Sequence, residues 1–73
     1  MEHPKYKIIE PIATLSSNKS KTLELNWVSW NDYPARIDLR RWGTNEQGER
    51  VPFKGLSLTD AEVEALKAVL PTV

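Results

Sequence analysis

The sequence predicts an α+β fold in which a curved four-stranded antiparallel sheet is followed by one C-terminal helix, in the order β-β-β-β-α. Three observations support this prediction. Four runs of β-branched and aromatic residues alternate with short polar turns. The last segment carries the start signals of a helix. The chain has 73 residues, which make one small domain over residues 1–73.

The four predicted strands are separated by polar or proline-containing turns. Pro11 cannot donate a ladder hydrogen bond, so the first strand is expected at an edge or a bulge. The cluster SSNKS, a tight turn around Pro34 and the polar segment GTNEQGE separate the runs. The predicted strands are residues 5–15, 21–31, 35–42 and 50–58, and residues 1–4 are predicted to be a flexible tail.

The sequence contains both a start signal and a stop signal for the C-terminal helix. Thr59 can cap its first turn, and Glu62 can complete a capping box. Pro71 ends it. Its apolar stripe, which is expected to pack in the core or in a dimer interface, consists of Val63, Leu66 and Leu70.

The size of the chain favours self-association. A core this small seldom supplies more than roughly 3–5 kcal/mol, so such domains usually need disulfides, a metal or a partner subunit. The chain has no cysteine, which excludes disulfides and thiolate metal sites. We therefore expect a homodimer.

The sequence offers little for catalysis. It has no cysteine and no glycine-rich phosphate loop, and its single histidine, His3, lies in the predicted tail. We expect no enzyme activity, no cofactor and no metal site. No run has the length of a signal peptide or membrane span, so we expect a cytoplasmic, or nucleoid-associated, protein without membrane contact.

The third strand divides its residues between two faces. Ile37 and Leu39 share one face, which should be the core. The other face carries Arg36, Asp38, Arg40 and Trp42. A large ring among arginines of like charge gains little from burial, so the indole of Trp42 is expected to be exposed.

The second strand changes phase, because Leu23 and Leu25 fall on odd positions while Val28 and Trp30 fall on even ones. One bulge near Asn26 would turn all four toward the core. The bulge would leave Trp27 on the exposed face, whereas an unbroken strand would bury it with the leucines. Tyr33 would project over the same edge from the following turn.

The exposed face would then combine rings and cations, which is the composition of a surface for unpaired nucleic acid. Bases stack on aromatic rings for roughly 1–3 kcal/mol each, and cations neutralise the phosphates. Aromatic side chains in small β-proteins are also commonly core, and arginines on a strand are commonly a solvated edge. The candidate surface consists of Trp27, Tyr33, Trp42, Arg36, Arg40 and Lys54.

The segments LNWVSWNDYPARIDLRRW and FKGLSLTDAEVEALKAVL resemble the Positive Cofactor Four family of transcriptional coactivators, and most closely its small bacterial YdbC-like branch. The resemblance covers roughly residues 21–70. It implies a homodimer whose curved sheets hold single-stranded DNA. The family's stacking and basic residues fall at Trp42, Tyr33, Arg36 and Lys54, with counterparts in the first hairpin at Lys19 and Lys21.

The expected function is therefore sequence-tolerant binding of single-stranded DNA, or of RNA, in transcription regulation or DNA maintenance. The chain carries ten basic and ten acidic side chains, which argues mildly against nucleic acid, but the acidic C-terminal segment leaves the body slightly basic. A peptide-binding or assembly module that uses the same aromatic face is the alternative. Duplex binding ranks third, because the acidic helix is not a recognition helix.

Overall fold

The computed structural model describes residues 5–73, so the predicted tail over residues 1–4 lies outside the described residues. Four strands form one antiparallel sheet in the order β1-β2-β3-β4, and a helix follows. The predicted order of four strands and one C-terminal helix is confirmed. The elements are β1 (Tyr6–Asn18), β2 (Lys21–Trp30), β3 (Arg36–Thr44), β4 (Arg50–Leu58), α1 (Asp60–Val69) and a 3-10 turn (Leu70–Thr72).

The connection between β2 and β3, residues 31–35, begins with a two-residue turn. Asn31 and Asp32 both have positive φ angles, 51° and 65°, which a type I′ hairpin turn requires and which these residue types tolerate. The backbone N–H of Tyr33 closes the turn by donating to the carbonyl of Trp30 at 2.9 Å. The tight turn therefore precedes Pro34 and is not built around it as predicted.

The irregularities of the sheet lie in β1 and not in β2. β2 pairs with β3 without interruption, so the predicted bulge near Asn26 is wrong. The register of β1 against β2 shifts at three points instead. Bulges bend a strand and increase its twist, so β1 curls over the sheet. The extra residues of β1 are Ile9, Ile12 and Leu15.

The sheet curls toward one of its faces, which we call the inner face. The hydroxyl of Tyr6 in β1 donates a long hydrogen bond of 3.4 Å to the backbone carbonyl of Arg50 in β4. Because β1 and β4 are the two edges of the sheet, this contact joins them across the inner face. Strand alternation places the even-numbered residues 24–30 and 36–42 on the inner face and the odd-numbered residues of both strands on the outer face.

The core lies on the inner face, which is opposite to the expectation from Ile37 and Leu39. Among residues 5–73, the buried apolar side chains are Val28 and Trp42, both inner-face residues. Three polar residues are buried beside them, and Ile37 and Leu39 are only half-buried. The buried polar residues are Glu24, Asn26 and Asp38.

Helix α1 begins with the predicted capping box but covers little of the sheet. Glu62 N–H donates to the Thr59 hydroxyl at 3.2 Å, and Thr59 N–H donates to the Glu62 carboxylate at 2.7 Å. That backbone hydrogen bond lowers the pKa of Glu62.

No α1 residue is buried, so core packing of its stripe is wrong for Leu66 and Leu70, which are exposed. Within residues 5–73 no helix has the length and apolar character needed to cross a membrane.

Gly55 generates a test of the β3–β4 pairing. It pairs with Arg40, and a Cβ at this position would lie 2.5 Å from the Arg40 Cα and from the Leu39 carbonyl oxygen. Since backbone atoms cannot move aside cheaply, we expect Gly55→Ala to lower the free energy of unfolding by about 1–3 kcal/mol. Urea denaturation measures this change.

Gly43→Ala is the matched control for that variant. The added Cβ would meet the ring of Phe53, which is an exposed side chain that can rotate away. We expect the smaller loss of stability for Gly43→Ala. Equal stability of Gly55→Ala and the parent chain would contradict the close approach of β3 and β4.

Candidate nucleic-acid interface

Trp42 lies on the inner face beside the arginines, but the prediction that its indole is exposed is wrong. Its relative exposure is 1%. The ring of Tyr6 packs against it with centroids 5.2 Å apart, and the guanidinium of Arg50 lies 5.0 Å from the indole centroid. A cation over an indole face is attractive. The neighbouring arginine therefore stabilises the buried ring instead of favouring its exposure.

Glu24 holds Arg50 over Trp42. Its carboxylate accepts hydrogen bonds from Arg50, from the Thr22 hydroxyl at 2.5 Å and from the Asn26 amide at 3.2 Å. Burial by itself raises the pKa of Glu24, but these hydrogen bonds and the charge of Arg50 outweigh burial and hold the pKa below its ordinary value of 4.5. The carboxylate is therefore ionised at neutral pH and fixes the guanidinium.

Asp38 organises the centre of the inner face in the same way. It is fully buried and accepts from Trp30 Nε1 at 3.1 Å and from the Ser57 hydroxyl at 2.9 Å. Arg40 binds it through two nitrogens, at 3.0 and 3.1 Å, and also donates to the Phe53 carbonyl at 3.0 Å. Arg40, predicted to contact phosphate, is thus largely occupied within the fold.

An open aromatic site lies at the β2–β3 turn, at one end of the inner face. Tyr33 is 70% exposed and lines a cavity of about 330 Å³. Of the predicted site residues, Tyr33 and Arg36 come together here, since both line this cavity. The other lining residues are Val28, Trp30, Pro34 and Ser57.

Trp30 is a site residue that sequence reasoning missed, because its even position assigned it to the core. It is half-buried, with its ring 5.4 Å from the Tyr6 ring and 4.7 Å from the Arg40 guanidinium, and it also lines the Tyr33 cavity. The signal that could have found it is its position directly before the Asn31–Asp32 turn. A ring at the end of a strand is covered by fewer neighbours than one at the centre.

The remaining predicted cations lie away from this cavity. Lys19 and Lys21 line a second cavity, of about 200 Å³, beside Trp42 at the opposite end of the inner face. Lys54 lies on the outer face in a groove of about 670 Å³, which Lys21 also lines. The structure therefore divides the predicted cations among three places.

Trp27 lies on the outer face, so its predicted place on the face of the arginines is wrong. The uninterrupted pairing of β2 with β3 sets Trp27 opposite Ile37. Both residues line a groove of about 440 Å³ between the sheet and α1. The phase change in β2 reflects a strand with apolar residues on both faces, which needs no bulge.

Comparison with known proteins places this fold in a family. The model of the family described as Transcriptional Coactivator p15 (PC4) matches residues 17–69. The chain belongs to the PC4 family. It is also 36% identical over 66 residues to an uncharacterized protein of Treponema pallidum (strain Nichols), across 89% of this chain and 74% of that protein. The predicted resemblance is confirmed.

Membership of the PC4 family supports DNA binding and a role as a transcriptional coactivator. The matched segment extends from the end of β1 to the last residue of α1. It therefore includes the Tyr33 cavity, the cavity beside Trp42 and the outer-face groove that Lys54 lines. Tyr6, whose ring covers Trp42, lies before the matched segment.

The Glu24 carboxylate generates a pH prediction for this PC4-family chain. The folded-state pKa of Glu24 lies below its ordinary value of 4.5. The stabilisation that the Glu24 carboxylate gives the fold is therefore fully present above about pH 4.5 and is lost as the pH falls through the folded-state pKa. We expect Glu24→Gln to lower the free energy of unfolding at pH 7 by about 1–3 kcal/mol. We also expect its stability to depend less on pH between about 6 and 3. Urea denaturation across this range measures both.

Glu64→Gln is the control, since Glu64 pairs with Lys67 on the exposed surface of α1. Exposed pairs contribute about 0–1 kcal/mol, so this variant should keep the parent's stability at pH 7. An acid transition unchanged by Glu24→Gln would show that Glu24 does not hold Arg50 in place.

Proposed function

We propose that the protein is a non-enzymatic homodimer that binds single-stranded DNA with little sequence preference, in transcription regulation or DNA maintenance. The observation that carries this proposal is the open ring of Tyr33 beside Arg36, at one end of the inner face of a PC4-family sheet. A cytoplasmic, nucleoid-associated location is part of the proposal.

Tyr33 has the chemistry of a stacking platform. Its ring is exposed, and Pro34 and Trp30 complete an apolar wall around the cavity. A base stacked on such a ring contributes roughly 1–3 kcal/mol, and every base has a π-face. Stacking on a side chain requires a base that is free of a duplex. The site therefore favours unpaired strands and tolerates any sequence.

The open parts of the inner face limit where a DNA strand can bind. Trp42 and the Asp38–Arg40 pair are enclosed on this face, so these residues support the surface and do not stack bases. Arg36 and Trp42 lie six positions apart on β3, which is roughly 20 Å at about 3.3 Å per residue. A bound strand would contact Tyr33 and Arg36 at one end and Lys19 and Lys21 at the other.

The homodimer in this proposal uses the outer face. Among residues 5–73, only two apolar side chains are buried in the monomer, and Leu70, in the 3-10 turn after α1, is 54% exposed. The groove between the sheet and α1 is therefore an unpartnered apolar surface. Its apolar lining consists of Ile12, Leu25, Trp27, Ile37, Leu58, Val63, Leu66 and Leu70.

Charge on the outer face complements this apolar groove. Asp60, Glu64 and Lys67 line the helix half of the face, with one net negative charge, and Lys21, Arg41 and Lys54 line the other half. A two-fold interface is self-complementary. Two copies related by such an axis could set the acidic half of one against the basic half of the other.

The peptide-binding alternative uses the same aromatic face as the proposed DNA site, and a peptide could also add to β1, which is a free edge with exposed apolar residues. An extended peptide adds to a sheet edge through a regular ladder. The three register shifts of β1 interrupt that ladder, and bulges are a common protection of edges against such pairing. The bulges therefore disfavour strand addition of a peptide at β1.

We expect Tyr33→Ala to weaken binding of an unphosphorylated thymidine oligomer by about 1–3 kcal/mol, because it removes one stacked base. Tyr33→Phe keeps the ring and should bind as the parent does. Fluorescence titration measures affinity, since a base in the cavity approaches the Trp30 indole and should quench it. Duplex DNA and an RNA oligomer of the same length are compared in parallel.

Equal affinity of Tyr33→Ala and the parent would contradict the proposed stacking site. Tighter binding of the duplex than of the single strand would contradict the preference for unpaired bases.

We expect Leu66→Glu to convert the homodimer to a monomer, because it sets a charge in the apolar groove. Analytical ultracentrifugation measures the mass. Ala68→Glu adds the same charge to an exposed α1 residue that does not line the groove, and it should remain dimeric. A monomeric parent chain would contradict the homodimer without affecting the stacking site.

A further inference from the structure

We propose that the cavity beside Trp42 is a binding site for a phosphate monoester, such as the phosphorylated end of a DNA strand. The inference deepens the proposed function, because it assigns a ligand group to the end of the inner face opposite Tyr33. Three segments meet at this cavity: the β1–β2 turn, the end of β3 and the loop that precedes β4. We call it the phosphate site.

The charges of the phosphate site match a dianion. Lys19, Lys21 and Arg50 line it, and Glu24 neutralises one positive charge through its pair with Arg50. Three positive charges and one negative charge leave a local excess of two. A phosphate monoester carries about −1.5 to −2 near neutral pH, whereas an internal phosphodiester carries one negative charge. The site therefore favours the monoester.

The phosphate site also offers neutral donors. Ser20 and Thr44, which carry hydroxyl donors, line it, and Gly48, whose N–H donates to the Asn45 carbonyl, leaves open space where a side chain would be. A volume of about 200 Å³ accommodates one phosphate group with its ester carbon. Charge-assisted hydrogen bonds from lysine and arginine to phosphate oxygens are among the strongest that proteins make.

The wall formed by Trp42 supplies an independent observation. Its indole Nε1 is buried and has no hydrogen-bond partner among residues 5–73, although Trp42 lines the cavity. The indole N–H of Trp30, by contrast, donates to Asp38. Buried donors in folded proteins are nearly always paired. This donor is enclosed, so a phosphate oxygen reaches it only if the cavity wall opens, and in the closed wall the Trp42 indole is a local reporter of a bound anion.

The first experiment compares thymidine oligomers that carry a 5′-phosphate, a 3′-phosphate or no terminal phosphate. We expect one phosphorylated form to bind roughly tenfold tighter at low salt, the effect of one charge-assisted hydrogen bond. This preference should decrease below about pH 6, where the monoester takes up its second proton. Equal affinities of the three oligomers at pH 7.5 would overturn the proposal.

Two charge variants locate the preference. Lys19→Gln should reduce toward one the ratio of the affinity for the preferred phosphorylated oligomer to the affinity for the unphosphorylated oligomer. Lys7→Gln removes the same charge from an exposed residue that lies near the other end of β2, opposite Ser29, and should leave the ratio unchanged. A ratio that survives Lys19→Gln, or that falls equally in both variants, would overturn the assignment to this cavity.

The second experiment titrates the protein with inorganic phosphate and follows the indole N–H signals by NMR. We expect the Trp42 signal to move and the Trp30 signal to stay, and the reverse result would overturn the site. A shift at Trp42 without any oligomer binding would leave the phosphate site standing and reject DNA binding. Tyr33-dependent oligomer binding without a preference for a terminal phosphate would leave DNA binding standing and reject the phosphate site.

Discussion

The contact of Tyr6 with Trp42 across the curled sheet is the constraint on which the rest of the structure depends. It joins β1 to β3, two strands that do not pair, and it encloses the inner face. Enclosure forces Asp38 and Glu24 out of water, where an unpaired carboxylate would be very costly. Each is therefore bound by an arginine, and the two arginines lie over Trp30 and Trp42.

This enclosed centre explains why the candidate ligand contacts lie at the two ends of the sheet. Arg40 and Arg50 are held by carboxylates, while Arg36 and Lys19 line open cavities. A chain of zero formal charge can still present positive ends, because α1 carries three acidic side chains against one lysine. Its neutrality does not conflict with membership of a DNA-binding family.

Some features could be predicted because their causes are local. The capping box of Thr59 and Glu62 involves residues three positions apart, and the division of Ile37 from Asp38 follows from strand alternation. The burial of Trp42 could not be predicted, because the ring that covers it comes from the start of β1. The position of Trp27 depended on where the bulges lie, and apolar residues on both faces of β2 gave a pattern that a bulge could equally explain.

The sequence alone determined the order of the elements, the helix start and the family resemblance, and it included Tyr33 and Arg36 in the candidate surface. Tertiary structure decided which face became the core, and so which rings stay open to a ligand. The reason is physical. Alternation along a strand is set residue by residue, but the curl of a sheet accumulates over all its strand pairs and bulges. Only the summed curl brings Tyr6 onto Trp42 and leaves Tyr33 exposed.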